Sequence, residues 1–198
     1  MLWQERQSDL LREEIEALIA HLPDVANLCY LAREPLIRIG RGLATEKVCG
    51  IWPLLPMIAC EAIGGSYECA IPAAAALQFL TASADVFDDI EDADAPESLS
   101  AKYGSAVATN VATVLLILAE KAITRLREKG VDDGTTVRVA GAINSYYITA
   151  CAGQHLDLSL TPGMVSSEDM YLRVASMKSA SQTECACHIG ALLANANQ

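Results

Sequence analysis

The run Asp85-Val86-Phe87-Asp88-Asp89-Ile90-Glu91-Asp92-Ala93-Asp94 follows a nearly chargeless, helix-compatible stretch, Ile71 to Ala84. At 3.6 residues per turn, Asp85, Asp88, Asp89 and Asp92 fall at i, i+3, i+4 and i+7 and share one helical face. Four carboxylates stacked on one face repel each other and weaken a bare helix. A divalent cation reverses that sign, because hard Mg²⁺ takes oxygen ligands and keeps waters and substrate phosphates in its shell. The stripe reads as a place for Mg²⁺ and, through it, a diphosphate. The plainer reading is a solvated helix end.

Two other sets of residues could serve the same chemistry. In Gly153-Gln154-His155-Leu156-Asp157-Leu158, Gln154 and Asp157 are three apart late in an expected helix, so both can face one cavity. Lys178, in Met177-Lys178-Ser179, lies inside an otherwise Ala/Val/Ser segment. A cation at an apolar site is costly unless an anion meets it. The competing readings are polar decoration at a helix end and a surface lysine.

These residues need helices to bring them together, and the sequence supplies them. Residues 4–21 alternate charged and aliphatic positions at helical spacing, giving a surface helix broken at Pro23-Asp24. Asp24 caps a second helix, Val25 to Arg33, and residues 37–50 read as a Gly-rich connection. A third helix runs from Ile51 to Ile63 and stops at Gly64-Gly65. Pro72 fits the first turn of the next, which carries the acidic stripe. Residues 93–104 read as a loop, and Ser105 to Lys129 and Thr135 to Leu160 as long helices. Ser166 and Ser167 cap the last helix, with Glu168 and Asp169 in its first turn. With no strand periodicity, the expectation is an all-α bundle of long apolar helices.

Bulk properties narrow the partners. A chain of 198 residues is about one domain, and 52% hydrophobic content fills a sizeable core. The net charge of −11 argues against nucleic acid and against anionic membranes. No stretch of about 20 uninterrupted apolar residues occurs, so no membrane span is expected. Seven cysteines in apolar surroundings, with no signal peptide, read as reduced thiols of a cytoplasmic protein. Cys185 and Cys187 point far apart on a helix, which argues against a zinc site with His188.

Taken in order, the motifs resemble those of the trans-isoprenyl diphosphate synthase superfamily. Asp88-Asp89-Ile90-Glu91-Asp92 resembles its Asp-Asp-x-x-Asp motif, Gly153 to Leu158 its Gly-Gln-x-x-Asp-Leu motif, and Lys178-Ser179 its Lys-Thr/Ser pair. Ile51 to Gly65 looks like its Leu-Arg-Pro-Leu-Leu helix ending in Gly-Gly, so the likeness spans residues 47–193. The resemblance implies an isoprenoid synthase-type helical bundle acting on an allylic prenyl diphosphate with Mg²⁺. By that pattern Asp88 and Asp92 are the metal ligands and Asp89 supports them. Gln154 and Lys178 contact the diphosphate, and Asp157 sits near the metals. Asp88, Asp92 and Lys178 would drive ionisation. Small residues at Ser83 and Ala84 would leave depth for a prenyl tail.

The departures are as informative. Chain-elongating members grip isopentenyl diphosphate with a basic trio, which falls here on Cys49, Gly50 and Trp52, and with an Arg-Arg pair absent from residues 95–99. Lys47, Lys102 and Arg41 are the cations that could compensate, and none sits in the pattern. This favours ionisation of one prenyl diphosphate as in terpene synthase-like members, by cyclisation or elimination. The alternatives are a chain-elongating or peptide-modifying prenyltransferase, and a non-catalytic subunit of a complex. The family's second aspartate-rich motif is not found before Gln198. The expectation is therefore a single, partial domain over 1–198 without the C-terminal helices, paired with a homodimer mate or a complementary subunit.

Overall fold

The apolar spacings become nine α-helices among the described residues, 3–38, 41–43, 49–92, 95–160 and 167–195, of a computed structural model. In chain order they are α1 (Trp3–Ile19), α2 (Leu28–Arg33), α3 (Ile51–Ala62), α4 (Tyr67–Asp92), α5 (Leu99–Tyr103), α6 (Ser105–Thr124), α7 (Asp133–Leu158), α8 (Glu168–Ala175) and α9 (Ser181–Asn195). Short 3₁₀ turns follow α2 and α6, and a π turn, Ser176–Ala180, joins α8 to α9. No strand occurs among the described residues, as the sequence pattern implied.

Alanine decides the centre. Ala73, Ala74, Ala75 and Ala76 in α4 are fully buried, and their small side chains let α3, α6 and α9 close in on one helix. Phe79 fills the remaining space without exposure; truncating it to Ala would cost about 3–5 kcal/mol. Leu11, Ile15, Leu18 and Ile19 form one stripe of α1 and reach this core. The 6%-exposed Glu14 on that helix pairs with Arg125 at 2.8 Å. Helix α1 is thus amphipathic and half inserted, more than the surface helix its charges suggest.

Several boundaries differ from expectation. Helix α2 begins at Leu28, with Asn27 and not Asp24 at its N-cap position, and α7 begins at Asp133, where the Asp132 side chain caps it by accepting from the Thr135 N–H. Helix α4 begins at Tyr67, which places Pro72 inside the helix instead of in its first turn. The ring is buried, as are Cys69, Ala70 and Ile71 just before it, and that burial outweighs the one lost backbone hydrogen bond. Within the expected loop, the Ser98 hydroxyl accepts from the Ala101 N–H and starts the short α5. The expected cap Ser166 lies outside the described residues, whereas Ser167 does cap α8, accepting from the Met170 N–H.

By length and composition, α4 and the run Ser105–Lys129 are each apolar enough to cross a membrane. Scattered polar groups such as Gln78 and Asn110 break the runs without lowering their mean hydropathy enough. In α4, 83% of that window is buried inside the bundle, as for a core helix; in the second it is 44%. Cys49, Cys60, Cys69 and Cys185 are buried, and none of the seven cysteines is in a disulfide.

Candidate functional site

Three helical faces meet at one cavity of about 620 Å³, a size suited to a small organic ligand. From α4 come Thr81, Ala84, Asp85 and Asp88, spaced one turn apart. Tyr147, Ala150, Cys151, Gln154 and Leu158 lie on one face of α7. Lys178, Ser179, Gln182 and Thr183 come from the π turn and the start of α9, and Trp52 from α3. The wall is largely apolar, through Trp52, Phe87, Ala150 and Leu158; the charged groups gather along one side of it.

At their centre is the Asp88 carboxylate. Its Oδ1 accepts from Gln154 Nε2 at 2.8 Å and from Lys178 Nζ at 2.9 Å. Lys178 also donates to Asp157 Oδ2 at 3.3 Å, and Gln154 to Glu91 Oε2 at 2.9 Å. Burial acts to lower the Lys178 pKa, but the hydrogen bonds and charges of Asp88 and Asp157 outweigh it and hold it above the ordinary lysine value. Lys178 is therefore a fixed cation, suited to binding an anion and not to accepting a proton. Gly153 makes this meeting possible: a Cβ there would lie 2.8 Å from both Lys178 N and Met177 Cβ.

The structure corrects the account of the acidic stripe. Metal is not the only group available to offset its repulsion, because protein cations already sit on Asp85, Asp88 and Asp89. Arg41 pairs with Asp85 at 2.5 Å, Lys178 with Asp88, and Arg38 with Asp89 at 2.6 Å. Burial raises the Asp85 pKa; Arg41 opposes that without cancelling it. Asp92, the last residue of α4, is exposed and does not line the cavity. Neither do Asp89 and Asp157, although Asp157 reaches the site through Lys178.

Of the two small residues expected to give depth, Ala84 lines the cavity and Ser83 does not. Ser83 is fully buried on the far side of α4, where its hydroxyl donates to the Ala112 carbonyl of α6 at 2.9 Å. Adjacent residues on a helix point about 100° apart, and the packing of Ser83 against α6 leaves Ala84 and Asp85 on the cavity side. Among the cations considered for a second anion, Lys102 is held by Glu34 at 2.9 Å, and Lys47 lies outside the described residues. Arg41 does line the cavity, 5.9 Å from the centre of the Trp52 ring.

Sequence reasoning missed Thr81, Tyr147 and Gln182. The signal was present in register: Thr81 is seven before Asp88, Tyr147 seven before Gln154, and Gln182 four after Lys178.

The donor set suits Mg²⁺. Among the described residues no cluster of three or more metal-ligating side chains is preformed, but Mg²⁺ needs only one or two carboxylates with substrate phosphates and water. Both hydrogen bonds to Asp88 fall on Oδ1, which leaves Oδ2 for a cation. The buried Gln154 Oε1 has no donor, a need that a hydrated cation's water or a protonated diphosphate oxygen would meet.

Fold and site together define an all-α bundle with a carboxylate–amide–ammonium cluster beside an apolar cavity. Residues 50–198 match the polyprenyl synthetase family, and the chain belongs to that family. It is 32% identical over 121 residues to the tryptophan prenyltransferase ComQ of Bacillus subtilis subsp. natto, covering 61% of this chain and 35% of that protein. It is 31% identical over 143 residues to a geranylgeranyl diphosphate synthase of Mycobacterium tuberculosis, covering 70% of this chain and 40% of that one. The chain thus spans well under half the length of these two relatives. The crystal structure of a geranylgeranyl pyrophosphate synthetase from Pyrococcus horikoshii shares the fold, with a TM-score of 0.82 at 24% identity over 96% of this chain and 55% of that one.

Proposed function

We propose that this chain carries the diphosphate-holding part of a prenyltransferase site, taking an allylic prenyl diphosphate and passing its prenyl group to a nucleophilic acceptor. The observation that carries the reading is the convergence of Gln154 and Lys178 on Asp88 beside an apolar cavity. Lys178 would donate to the oxygens of the diphosphate, and the Gln154 amide, whose two N–H groups go to Asp88 and Glu91 in the free protein, would turn one of them to the ligand. Asp88, with Asp89 and Asp92, would hold Mg²⁺, which supplies neutralisation of the leaving group's charge. The bond between the allylic carbon and the diphosphate oxygen breaks, and its electron pair leaves with the diphosphate. The apolar wall keeps water from the resulting cation. An electron pair of the acceptor forms the new bond, and the acceptor then loses a proton.

The relatives named above are a prenyltransferase and a diphosphate synthase, which supports transfer over cyclisation or elimination. For the acceptor we favour an uncharged nucleophile such as an indole. Of the two cations lining the cavity, Lys178 is taken by the first diphosphate in this reading and Arg41 is engaged by Asp85, so a second diphosphate would compete with Asp85 for Arg41. The likeness to the tryptophan prenyltransferase points the same way. Chain elongation is the second reading, favoured by the likeness to the geranylgeranyl diphosphate synthase.

The test is incubation with Mg²⁺ and geranyl, farnesyl or geranylgeranyl diphosphate, with a tryptophan-containing peptide, with isopentenyl diphosphate, or with neither. Diphosphate release and product mass are measured. Peptide-dependent release with a prenyl mass gain supports the first reading, and isopentenyl-dependent release the second. Release with neither acceptor returns the terpene synthase-like mechanism. Mg²⁺-dependent binding without release in any arm overturns transfer and leaves a non-catalytic subunit.

A further inference from the structure

We infer that Gln182, backed by Thr81 and Tyr147, is a positioning residue: it holds open the π turn that aims the Lys178 ammonium at Asp88. What Lys178 does once aimed rests on the proposed function; the aiming itself is a matter of geometry.

The π turn is the irregular element of the site. Within it the Ser181 N–H donates to the Ser176 carbonyl, five residues back. Such a turn has poorer geometry than the α-helix on either side and persists where its surroundings enforce it. Relaxation to α would remove one residue's worth of slack, a rotation of about 100° and a slide of about 1.5 Å. Helix α9 cannot absorb that motion. A Cβ at Gly190 would lie 2.5 Å from the Pro56 carbonyl of α3, and Ile189 and Leu193 are fully buried. The rotation would therefore fall on the turn itself and carry Lys178 away from Asp88.

Both polar ends of the Gln182 side chain act against this. Its Nε2 donates to the Lys178 carbonyl at 3.0 Å, and its Oε1 accepts from the Thr81 hydroxyl at 3.1 Å. Because the Thr81 proton is used there, the Tyr147 hydroxyl donates to Thr81, 2.9 Å away, in preference to the Leu77 carbonyl at 3.5 Å. The order is directional: Tyr147 to Thr81, Thr81 to Gln182, Gln182 to the Lys178 backbone. Burial drives the Tyr147 pKa upward and keeps that hydroxyl a donor. A reversed Gln182 amide would set its oxygen against the Lys178 carbonyl, so the arrangement has one satisfied form. The network runs from α4 and α7 to the turn and fixes the backbone from which the Lys178 side chain starts.

The experiment reads Lys178 directly. The chain has five lysines, so reductive ¹³C-methylation gives a sparse NMR spectrum in which Lys178→Arg assigns one signal. Asp88→Asn marks where that signal moves when its partner is lost. Gln182→Leu is expected to move it to the same position. Gln182→Glu does likewise, because an ionised carboxylate cannot donate to the Lys178 carbonyl, and Tyr147→Phe gives part of the shift. Titration with Mg²⁺ and inorganic pyrophosphate is expected to show affinity about tenfold weaker in Gln182→Leu than in the parent. A folded Gln182→Leu whose Lys178 signal and affinity match the parent overturns the inference. Should Gln182→Leu fail to fold, Gln182→Glu and Tyr147→Phe decide it. If the parent binds no pyrophosphate, the proposed function falls while the NMR signal still tests the positioning.

Discussion

Lys178 Nζ lies 2.9 Å from Asp88 Oδ1, although ninety positions separate the two residues in the chain. The side chains are 31% and 38% exposed, so solvent screens the pair and its share of the folding free energy is small. Its consequence is local. The ammonium sits beside the carboxylate expected to bind Mg²⁺, so a diphosphate held there through the metal would lie next to both.

Lys178→Ala should therefore separate binding from stability. Loss of a charge-assisted contact to the diphosphate is expected to weaken Mg²⁺–pyrophosphate binding about tenfold or more. The melting temperature should hardly move. Calorimetric titration and a thermal melt on the same sample check both. Unchanged affinity would remove Lys178 from the site.

Asp88→Ala and Asp92→Ala test the metal assignment. Both are expected to abolish diphosphate release, and Asp88→Ala also frees Gln154 and Lys178 from their shared acceptor. Full activity in either variant would show that its carboxylate does not hold the cation. The contrast is informative because Asp88 lines the cavity and Asp92 does not.

The helical class and the acidic, amide and lysine motifs were legible because each rests on spacing within one helix. Asp88, Gln154 and Lys178 are each recognisable from residues within a turn or two. Their counter-charges were not, since the Arg38–Asp89 and Arg41–Asp85 pairs join a non-helical segment to α4 across 51 and 44 positions. Periodicity carries no information about contacts of that kind. The divergence of Ser83 and Ala84 was available in principle, because neighbours on a helix point about 100° apart, but deciding which lined the cavity required knowing where α6 packs. The π turn has no sequence signature of its own.

Gly153→Ala sets two effects against each other. Alanine improves helix propensity by about 1 kcal/mol. Its methyl would lie 2.8 Å from Lys178 N, a backbone atom that cannot swing aside. Overpacking of that sort costs about 1–3 kcal/mol, so net destabilisation is expected, together with weaker pyrophosphate binding as the π turn is pushed off α7. Urea midpoints measure the first and titration the second. A stabilised Gly153→Ala would mean that the two helices separate freely.

Asp85 gives a pH signature. Its pKa is raised in the folded protein, burial outweighing Arg41, whereas the unfolded chain titrates it near the ordinary value of about 3.9. Between those values the native state binds more protons than the unfolded state. This group's contribution therefore lowers stability as pH rises through the window and restores it as pH falls. Asp85→Asn should remove that component. Urea midpoints for the parent and the variant, taken in steps upward from about pH 4, are expected to differ in slope in this sense. Parallel curves would show that Arg41 cancels the burial cost.

The exposed apolar surface predicts association. No charged residue occurs from Ser105 to Ala119 or from Val139 to Gln154, in a chain of net charge −11. On those helices Ile117 is 64% exposed, and Val137, just before the second stretch, and Ile148 are each 70% exposed. Chains of like charge repel each other least where such an uncharged face meets another, and large apolar side chains exposed on uncharged helices are a common mark of an interface. We propose that a second copy or a complementary subunit covers it. Sedimentation of the purified chain is expected to show an oligomer, and Ile117→Glu with Ile148→Glu should shift it toward monomer by placing a charge on each helix. A stable monomer that binds no apolar dye would contradict this, because surface that neither self-associates nor takes up dye is not acting as an interface.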